Sequence, residues 1–483
     1  MERSGVHEQW SSRLAFIFAA VGSAVGLGNI WRFPYMAGEN GGAAFVLVYI
    51  AFVVFIGLPV LIAELTLGRR GRMSPVTSLR NVAEESGSSK RWGWLGHLSS
   101  LGGGLGLLAF YSVIAGWVLA YIIKAASGMF SGFGPADSAA AVDAFYADTP
   151  TMVAWHFAFI ALTVFIVGRG INAGLEKAVV YLMPLLFLLL LVLVGYSMAT
   201  GEFMAALKYL FAPDFSKITG EVVLNAVGQA FFSLSLALGT MLAYGAYLPK
   251  DISIHRSAAL IAAADTGVAL IAGMAIFPLV FAFNLDPASG PDLIFKVLPI
   301  AFGQMPGGAI FGAMFFILLA VAAVTSSISM LEPAVSYFEE KQDMSRWKAA
   351  IFGGGVAFLI GLLTVFAYGD LADFHPLASL GIEMNFYDLN NFIVSNLIMP
   401  IGALLLAIFV GWHVKRDIMR TEMDLPEGGI FEIWHVLIKY FCPVAIAVIL
   451  IFGLMPTPPA EEAPAVEEVE KASTLEPGGE KGE

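Results

Sequence analysis

Charged residues and cysteine are both scarce in this chain. Of its 483 residues only 13% are charged, and Cys442 is the only cysteine. Soluble domains carry roughly twice that share of charge, so an ordinary soluble protein is excluded. A lone cysteine excludes an internal disulfide and a cysteine-based metal cluster. The seven histidines lie mostly at the ends of apolar runs or in loops, and no hydrolase or metalloprotease motif stands in a suitable context. An intramembrane enzyme is therefore the weakest alternative.

Apolar residues are abundant instead. They make up 58% of the chain, with a mean hydropathy of +0.78, and runs of about 20 of them recur from end to end. We therefore predict an all-α polytopic membrane protein with eleven transmembrane helices. The expected spans are approximately 13–37, 42–68, 99–124, 152–168, 175–199, 220–248, 255–284, 307–338, 347–368, 388–413 and 434–455.

The distribution of basic residues predicts the orientation. If residues 1–12 form a cytoplasmic N-terminal segment, the outer loops hold few basic residues, namely Lys124, Lys208, Lys217 and Lys296. This asymmetry follows the positive-inside rule and predicts a multi-pass protein of the plasma (inner) membrane with an extracytoplasmic C-terminus. Residues 457–483 form a Pro- and Glu-rich acidic tail that is expected to be disordered. No nucleic-acid partner is expected, and the oligomeric state, monomer or homodimer, stays open.

The first span is interrupted at its middle. Residues 19–35, "AAVGSAVGLGNIWRFPY", contain several glycines, an Asn, an Arg and a Pro, all of which are unfavourable inside a membrane helix. The sixth span carries small and polar residues at a similar depth, from Ser233 to Thr240. Two interrupted helices, each opening a block of five spans, are typical of a secondary-transporter binding site. The alternative is that the glycines only allow close helix packing.

Spans seven and eight add polar groups at mid-membrane. Ala322, Thr325 and Ser326 share one helix face, where a carbonyl and two hydroxyls suit a hard cation such as Na⁺. Alternatively, these hydroxyls bond back to their own helix. Asp265 lies well inside span seven, which makes it a candidate functional residue. Arg32, Glu64 and Glu332 lie nearer span ends, where pairing with other residues is the expected role.

Together these motifs resemble the neurotransmitter:sodium symporter family, and in particular its bacterial LeuT-like amino-acid transporters. The resemblance covers about residues 7–455 and rests on "WSSRLAFIFAAVGSAVGLGNIWRFPY", "ENGGAAF", "FYSVIAGW", "GQAFFSLSL" and "VTSSIS", in that order. It implies a LeuT-like fold over residues 13–455, with helices 1 and 6 unwound at mid-membrane. Residues 13–199 and 220–413 would form a five-plus-five inverted repeat, and residues 434–455 one extra helix.

The resemblance also implies a binding site, with two Na⁺ ions and a substrate. The first sodium site would consist of the Ala24 carbonyl, Asn29, Ser233 and Asp265 with the substrate carboxylate. The second sodium site would consist of the carbonyls of Gly22, Val25 and Ala322 with the hydroxyls of Thr325 and Ser326. The substrate would lie against Ala24, Gly26, Leu107, Tyr111, Phe232, Ser233, Ser235, Leu238, Ser326 and Met330.

This expected lining is apolar and, with Tyr111 holding the carboxylate, predicts a neutral, hydrophobic or aromatic L-amino acid, because a charged side chain would be left unpaired. The resulting hypothesis is a Na⁺-coupled symporter that imports this substrate by alternating access. Chloride-dependent relatives place an anion among residues that match Tyr49, Gln229 and Ser233. Since Asp265 already supplies a negative charge there, no chloride is expected, and protonation of Asp265 could return H⁺. A channel and a substrate-sensing non-transporter remain alternatives.

The family pattern also implies an outer and an inner gate, and in each gate one residue of this chain differs from the usual one. The outer gate would pair Arg32 with an acidic residue, but Asn391 stands at that position and Asp388 lies three residues before it. The inner gate would consist of His7, where an Arg is usual, with Trp10, Tyr247 and Glu340. Gly174 and Pro184 match a Gly-X9-Pro element thought to let span five unwind. Which amino acid is carried, the ion stoichiometry and the partner of Arg32 are left open.

Overall fold

The computed structural model describes residues 8–290 and 292–453, and their regular structure is helical. Residues 1–7, which include His7, and the acidic tail 457–483 lie outside the described residues. The helices up to the middle of the chain are α1 (Arg13–Ala24), α2 (Gly28–Glu39), α3 (Ala43–Gly71), α4 (Pro75–Glu85), α5 (Lys90–Ala126), α6 (Pro135–Ala147), α7 (Thr149–Gly168), α8 (Ile171–Thr200) and α9 (Phe203–Phe211). The others are α10 (Gly220–Ser233), α11 (Thr240–Ala246), α12 (Ile254–Ala282), α13 (Leu293–Gln304), α14 (Gly308–Gln342), α15 (Arg346–Tyr368), α16 (Phe386–His413), α17 (Arg416–Met423) and α18 (Ile430–Gly453).

Most of the eleven spans that the sequence predicts are long apolar helices in the described residues. Nine of the described helices are long and apolar enough to cross a membrane: α3, α5, α7, α8, α12, α14, α15, α16 and α18. The helices α1 and α2 make a tenth span, bent by 49° at a short break. The helices α10 and α11, which are separated at residues 234–239, lie in the predicted span 220–248. The all-α fold with two interrupted spans is confirmed, although α5 begins nine residues before the expected bound of 99.

The backbone conformations that interrupt the two spans differ. Helix α1 starts at Ser12, whose side chain accepts a hydrogen bond from the Ala15 N–H, and it ends where Val25 turns to an extended conformation. In the second break Ser235, Ala237 and Gly239 all adopt positive φ, at 51°, 60° and 76°. A left-handed conformation costs a non-glycine residue about 1–2 kcal/mol. The surrounding contacts therefore hold this segment against its local preference.

A pair of glycines brings α11, the inner half of the broken sixth span, onto α3. A Cβ atom on Gly68 would lie 2.0 Å from the Leu242 carbonyl oxygen, and one on Gly245 would lie 2.5 Å from that of Leu65. Each helix thus presents a glycine to the backbone of the other, which is the small-residue packing that membrane helices favour. This contact fixes the short helix α11 beside the binding region.

The close approach of α3 and α11 generates a stability prediction. We expect Gly68→Ala to lower the melting temperature of the detergent-solubilised protein, because overpacking a tight contact costs roughly 1–3 kcal/mol. Gly195→Ala is the matched control, since Gly195 also lies in a membrane helix but its Cβ would meet no atom within 4 Å. Fluorescence-detected size-exclusion melting curves compare the two variants. Equal melting temperatures would contradict the packing role of Gly68.

Candidate functional site

The two breaks meet around one buried carboxylate. Asn29 lies at the start of α2, Ser233 ends α10, and Asp265 lies in the middle of α12; all three side chains are fully buried. Asn29 Nδ2 is 2.7 Å from Asp265 Oδ1 and 3.0 Å from Ser233 Oγ, and Ser233 Oγ donates to Asp265 Oδ2 at 2.7 Å. Residues from both broken spans and from α12 thus share one cluster of amide, hydroxyl and carboxylate groups.

Of the other two residues matched to the anion site, Tyr49 contacts the same carboxylate and Gln229 contacts the first break. Tyr49 Oη lies 3.2 Å from Ser233 Oγ and 3.3 Å from Asp265 Oδ2. Gln229 Nε2 donates to the Gly28 carbonyl at 2.8 Å, and Gln229 Oε1 is buried with no hydrogen-bond partner among the described residues. Asp265 therefore already accepts hydrogen bonds from two of the three side chains that the resemblance assigns to an anion.

A second oxygen cluster lies where α14 crosses the end of α1. Ser326 Oγ is 3.3 Å from the Gly22 carbonyl oxygen and 3.4 Å from that of Val25. Thr325 Oγ1 is 3.0 Å from the Ala322 carbonyl oxygen, a contact within its own helix. All five residues expected in the second sodium site are thus within this cluster. Thr325 also fits the alternative in which the hydroxyl bonds back to its own helix, because its Oγ1 atom lies in the cluster and contacts the Ala322 carbonyl at the same time.

Helix α8 covers this second cluster. A Cβ atom on Gly22 would lie 2.9 Å from Met183 Sδ and 3.1 Å from Thr325 Cβ, so α8 and α14 approach closely at that point. Pro184 follows Met183 inside α8, and Gly174 lies against the Ile166 carbonyl, which would be 2.1 Å from its Cβ. The start of α8 is therefore packed tightly beside the cluster.

The expected substrate residues lie between the two oxygen clusters. Tyr111 Oη on α5 accepts a hydrogen bond from the Leu27 N–H at 3.3 Å. A Cβ on Gly26 would be 2.4 Å from Ser326 Oγ and 3.0 Å from Tyr111 Oη. Gly26 is therefore required by close approach, and it brings the first break within reach of both hydroxyls.

The expected side-chain pocket is built of apolar residues from three helices and the second break. Leu107, Leu238 and Met330 are buried, and Phe232 lies against Gly28. Sequence analysis missed two glycines of α5 that leave room for the second break. Gly103 faces the Leu238 side chain, and Gly104 faces the carbonyls of Met330 and Leu238. Ser235 donates to the Ser23 carbonyl at 3.0 Å, so its hydroxyl is used to fix the turn.

The outer gate residues are only partly brought together. The Arg32 guanidinium lies 4.6 Å from the centre of the Phe232 ring, a cation–π contact. Among residues 8–290 and 292–453 no ion pair joins Arg32 to Asp388. Asn391 Oδ1 accepts a hydrogen bond from Ser395 Oγ at 3.0 Å. In this conformation Arg32 contacts an aromatic ring that borders the expected substrate pocket.

Trp10, a residue expected in the inner gate, contacts the end of α11. Its backbone N–H donates to the Tyr247 carbonyl and its indole N–H to the Tyr244 carbonyl, each at 3.2 Å. Tyr247 Oη donates to Glu332 Oε1 at 2.7 Å. Glu340 instead faces α4 and its N-terminus, accepting from the Ser74 N–H at 2.9 Å and from Thr77.

Sequence analysis expected Glu332 to pair with another residue, but it missed the partner, Arg346, and the second carboxylate, Glu339. Arg346 pairs with Glu332 and Glu339 and donates to the Val167 carbonyl at 2.9 Å. Because Glu332 and Glu339 are seven residues apart on one helix face, their spacing was a usable signal for a shared cation. Glu8 and Glu176 each join the segment before α1 to the start of α8, and sequence spacing could not reveal these contacts. Glu8 accepts from the N–H groups of residues 171 and 172, and Glu176 accepts from residue 11.

Comparison with known proteins agrees with this architecture. The family model described as "Sodium:neurotransmitter symporter family" matches residues 7–131 and 146–463. An uncharacterized sodium-dependent transporter of Bacillus subtilis, YhdH, is 38% identical over 449 residues, covering 92% of this chain and 97% of the relative. One of Haemophilus influenzae is 34% identical over 453 residues, covering 92% of this chain and 98% of the relative.

A solved structure gives the same result for the fold. The crystal structure of MhsT in complex with L-phenylalanine matches with a TM-score of 0.85 at 40% sequence identity, covering 92% of this chain and 100% of that chain. The resemblance that the sequence motifs carry is thereby confirmed. The chain belongs to the sodium:neurotransmitter symporter family, and it is a membrane transporter with a LeuT-like fold, not an enzyme.

Proposed function

We propose that this protein couples the inward movement of two Na⁺ ions to the import of a neutral, hydrophobic or aromatic L-amino acid, without chloride. The observation that carries the proposal is the convergence of both interrupted spans on one buried region. There two oxygen clusters flank Gly26 and Tyr111. A channel would instead need a continuous polar pore.

The donor sets suit sodium. Carbonyl, hydroxyl, amide and carboxylate oxygens are the ligands that hard cations prefer. In the first sodium site Asp265 brings a full negative charge beside Asn29 and Ser233. In the second sodium site the donors are neutral carbonyls and hydroxyls. We infer that the charged site binds its ion more tightly and that the neutral site releases its ion first.

The substrate class follows from the groups between the two clusters. The Tyr111 hydroxyl and the N–H groups at the first break can hold a carboxylate, as helix N-termini and free N–H groups do. The side chain would then face Leu107, Leu238 and Met330, which offer no charge partner. MhsT, the similar structure, contains L-phenylalanine, and this supports an apolar amino acid for the present chain.

Chloride independence is supported by the position of Asp265. Its Oδ2 atom lies within hydrogen-bonding distance of both Tyr49 and Ser233. A second anion beside this carboxylate would face strong repulsion in a site of low dielectric constant. The fixed carboxylate thus supplies the negative charge that a bound anion would otherwise supply.

Alternating access would involve the two closures described above. On the outer side Arg32 lies on Phe232, and on the inner side Trp10 lies against Tyr244 and Tyr247. The positive-inside rule supports a cytoplasmic location for the Trp10 side and import as the physiological direction. A substrate-sensing protein of the same fold would bind the amino acid but not move it.

Transport itself is tested by uptake into proteoliposomes. We expect an inward Na⁺ gradient to drive accumulation of a labelled apolar amino acid, with phenylalanine and leucine competing and with lysine and glutamate failing to compete. Liposomes with equal Na⁺ on both sides are the control. Binding without gradient-driven accumulation would support the sensor, and currents far above carrier rates would support the channel.

Ser326 generates a sodium-binding prediction. We expect Ser326→Ala to raise the Na⁺ concentration for half-maximal thermal stabilisation about tenfold, because it removes a hydroxyl that approaches three carbonyl oxygens and a ligand of this kind contributes ~1–2 kcal/mol. Ser327→Ala is the matched control, since its hydroxyl faces Thr163 and the Val324 carbonyl instead. The melting temperature is titrated with NaCl at constant ionic strength. Equal Na⁺ responses in the two variants would contradict the second sodium site.

Asp265 generates a second prediction. We expect wild-type uptake to be unchanged when gluconate replaces chloride. Asp265→Asn should weaken Na⁺ activation at least tenfold in gluconate, because a unit charge near a cation contributes on the order of 4 kcal/mol at an effective dielectric of ~20. Asp286→Asn, at an exposed outer-loop position, should leave Na⁺ activation unchanged. A steep chloride requirement of the wild type would exclude the proposed role of Asp265.

A further inference from the structure

A cluster of basic and aromatic side chains lies far from the binding region, where α16 ends and α18 begins. We call it the Lys439 patch, and it consists of Trp412, Arg416, His435, Lys439 and Tyr440. Trp412 and Tyr440 are 57% and 53% exposed on the outer surface of the helix bundle. The transport mechanism uses none of these residues.

Lys439 is held between the two exposed aromatic rings. Its Nζ atom lies 4.8 Å from the centre of the Trp412 ring and 5.4 Å from that of Tyr440. The Trp412 indole N–H donates to the Lys439 carbonyl at 3.1 Å. A Cβ on Gly411 would lie 2.7 Å from Lys439 Cα, so the backbones of α16 and α18 touch here. The position of the ammonium group is therefore fixed by packing.

Positive charge dominates the Lys439 patch. Arg416 pairs with Glu432 and lies 5.4 Å over the Phe431 ring. The charged neighbours of His435 are Arg416 and Lys439. In the part of the chain that the structure describes, Lys439 forms no ion pair with a carboxylate. Arg416 thus has Glu432 as its partner, whereas the Lys439 ammonium contacts aromatic rings and keeps its charge available for an external anion.

The surroundings indicate where that anion resides. Trp and Tyr side chains concentrate at the level of the lipid headgroups, and Lys side chains extend toward the same level. Next to the patch, α18 presents Val436 and Val444, which are exposed. An ammonium group above an uncovered apolar helix face matches a phosphodiester above an acyl chain.

We propose that the Lys439 patch binds the headgroup of an anionic membrane phospholipid, with an acyl chain along α18. The phosphate oxygens accept from Lys439 and Arg416, and the rings of Trp412 and Tyr440 flank the glycerol region. Basic pockets between transmembrane helices bind anionic lipids in this way. The inference does not rest on the identity of the transported amino acid.

Brominated lipids test this site. The purified full-length protein is placed in phosphatidylcholine vesicles that contain a small fraction of either brominated phosphatidylglycerol or brominated phosphatidylcholine. Bromine quenches nearby tryptophan fluorescence, and the Trp412 signal is the difference between wild type and Trp412→Phe. We expect brominated phosphatidylglycerol to quench this signal more strongly. Lys439→Gln should reduce the preference about fivefold, the factor that corresponds to about 1 kcal/mol per basic residue.

Matched variants make the outcome decisive. Lys348→Gln should keep the preference, because Lys348 is also exposed beside an exposed tryptophan, Trp347, but lies outside the Lys439 patch. Arg416→Gln should reduce the preference in the same direction as Lys439→Gln. Equal quenching by the two brominated lipids, or an unchanged preference in Lys439→Gln, would overturn the proposal. Loss of the preference on adding millimolar inorganic phosphate would indicate a free-anion site and would also overturn it.

Discussion

The structure depends on one constraint: backbone N–H and C=O groups inside a membrane must find partners within the protein. The two interrupted spans free such groups at residues 25–27 and 234–239. The Ala237 N–H meets Glu64, the Leu27 N–H meets Tyr111, and the Gly28 carbonyl meets Gln229. These buried polar side chains supply the hydrogen-bond partners that the interrupted backbone lacks. The same groups assemble the binding region, so stability and function draw on one set of contacts.

This constraint also links the two oxygen clusters. Ser326 lies on α14 but contacts carbonyls at the end of α1, and the first break returns to Asn29, which contacts Asp265 on α12. Gly26 stands between them, and a side chain there would collide with Ser326 and Tyr111. A displacement of α1 therefore alters both clusters at once. In the proposed mechanism, coupling between ions and substrate needs no separate device, because residues 22–29 contribute to both oxygen clusters and to the expected substrate region.

Much of this architecture could be predicted from sequence, because the costs involved are local. Glycine, Asn and Arg inside an apolar run are unfavourable wherever the helix packs, so residues 19–35 marked the first break without knowledge of its neighbours. The grouping of Asn29, Ser233 and Asp265 came from family resemblance and not from spacing. The link between Arg346 and Glu332 was missed, and the position of Arg32 over Phe232 could not be foreseen. Such contacts depend on how each helix is rotated against the next, which periodicity alone does not determine.

The two closures differ in kind, and the difference bears on how each can open. On the inner side Tyr247 bonds to Glu332, which pairs with Arg346, and Arg346 bonds to the Val167 carbonyl at the end of α7. This closure is anchored to α15 and the end of α7, and also to α14, which carries Ser326 at the first break. On the outer side Arg32 rests on Phe232, whose ring also lies against Gly28. Outer closure is therefore built from the residues that border the substrate pocket, so occupancy of the pocket acts on it directly. Inner closure involves buried charges, and separating them without replacement partners is costly. In the proposed transport cycle, opening inward would require the buried Glu332–Arg346 pair to gain other partners such as water, whereas opening outward would require the Arg32 guanidinium and the Phe232 ring to move apart.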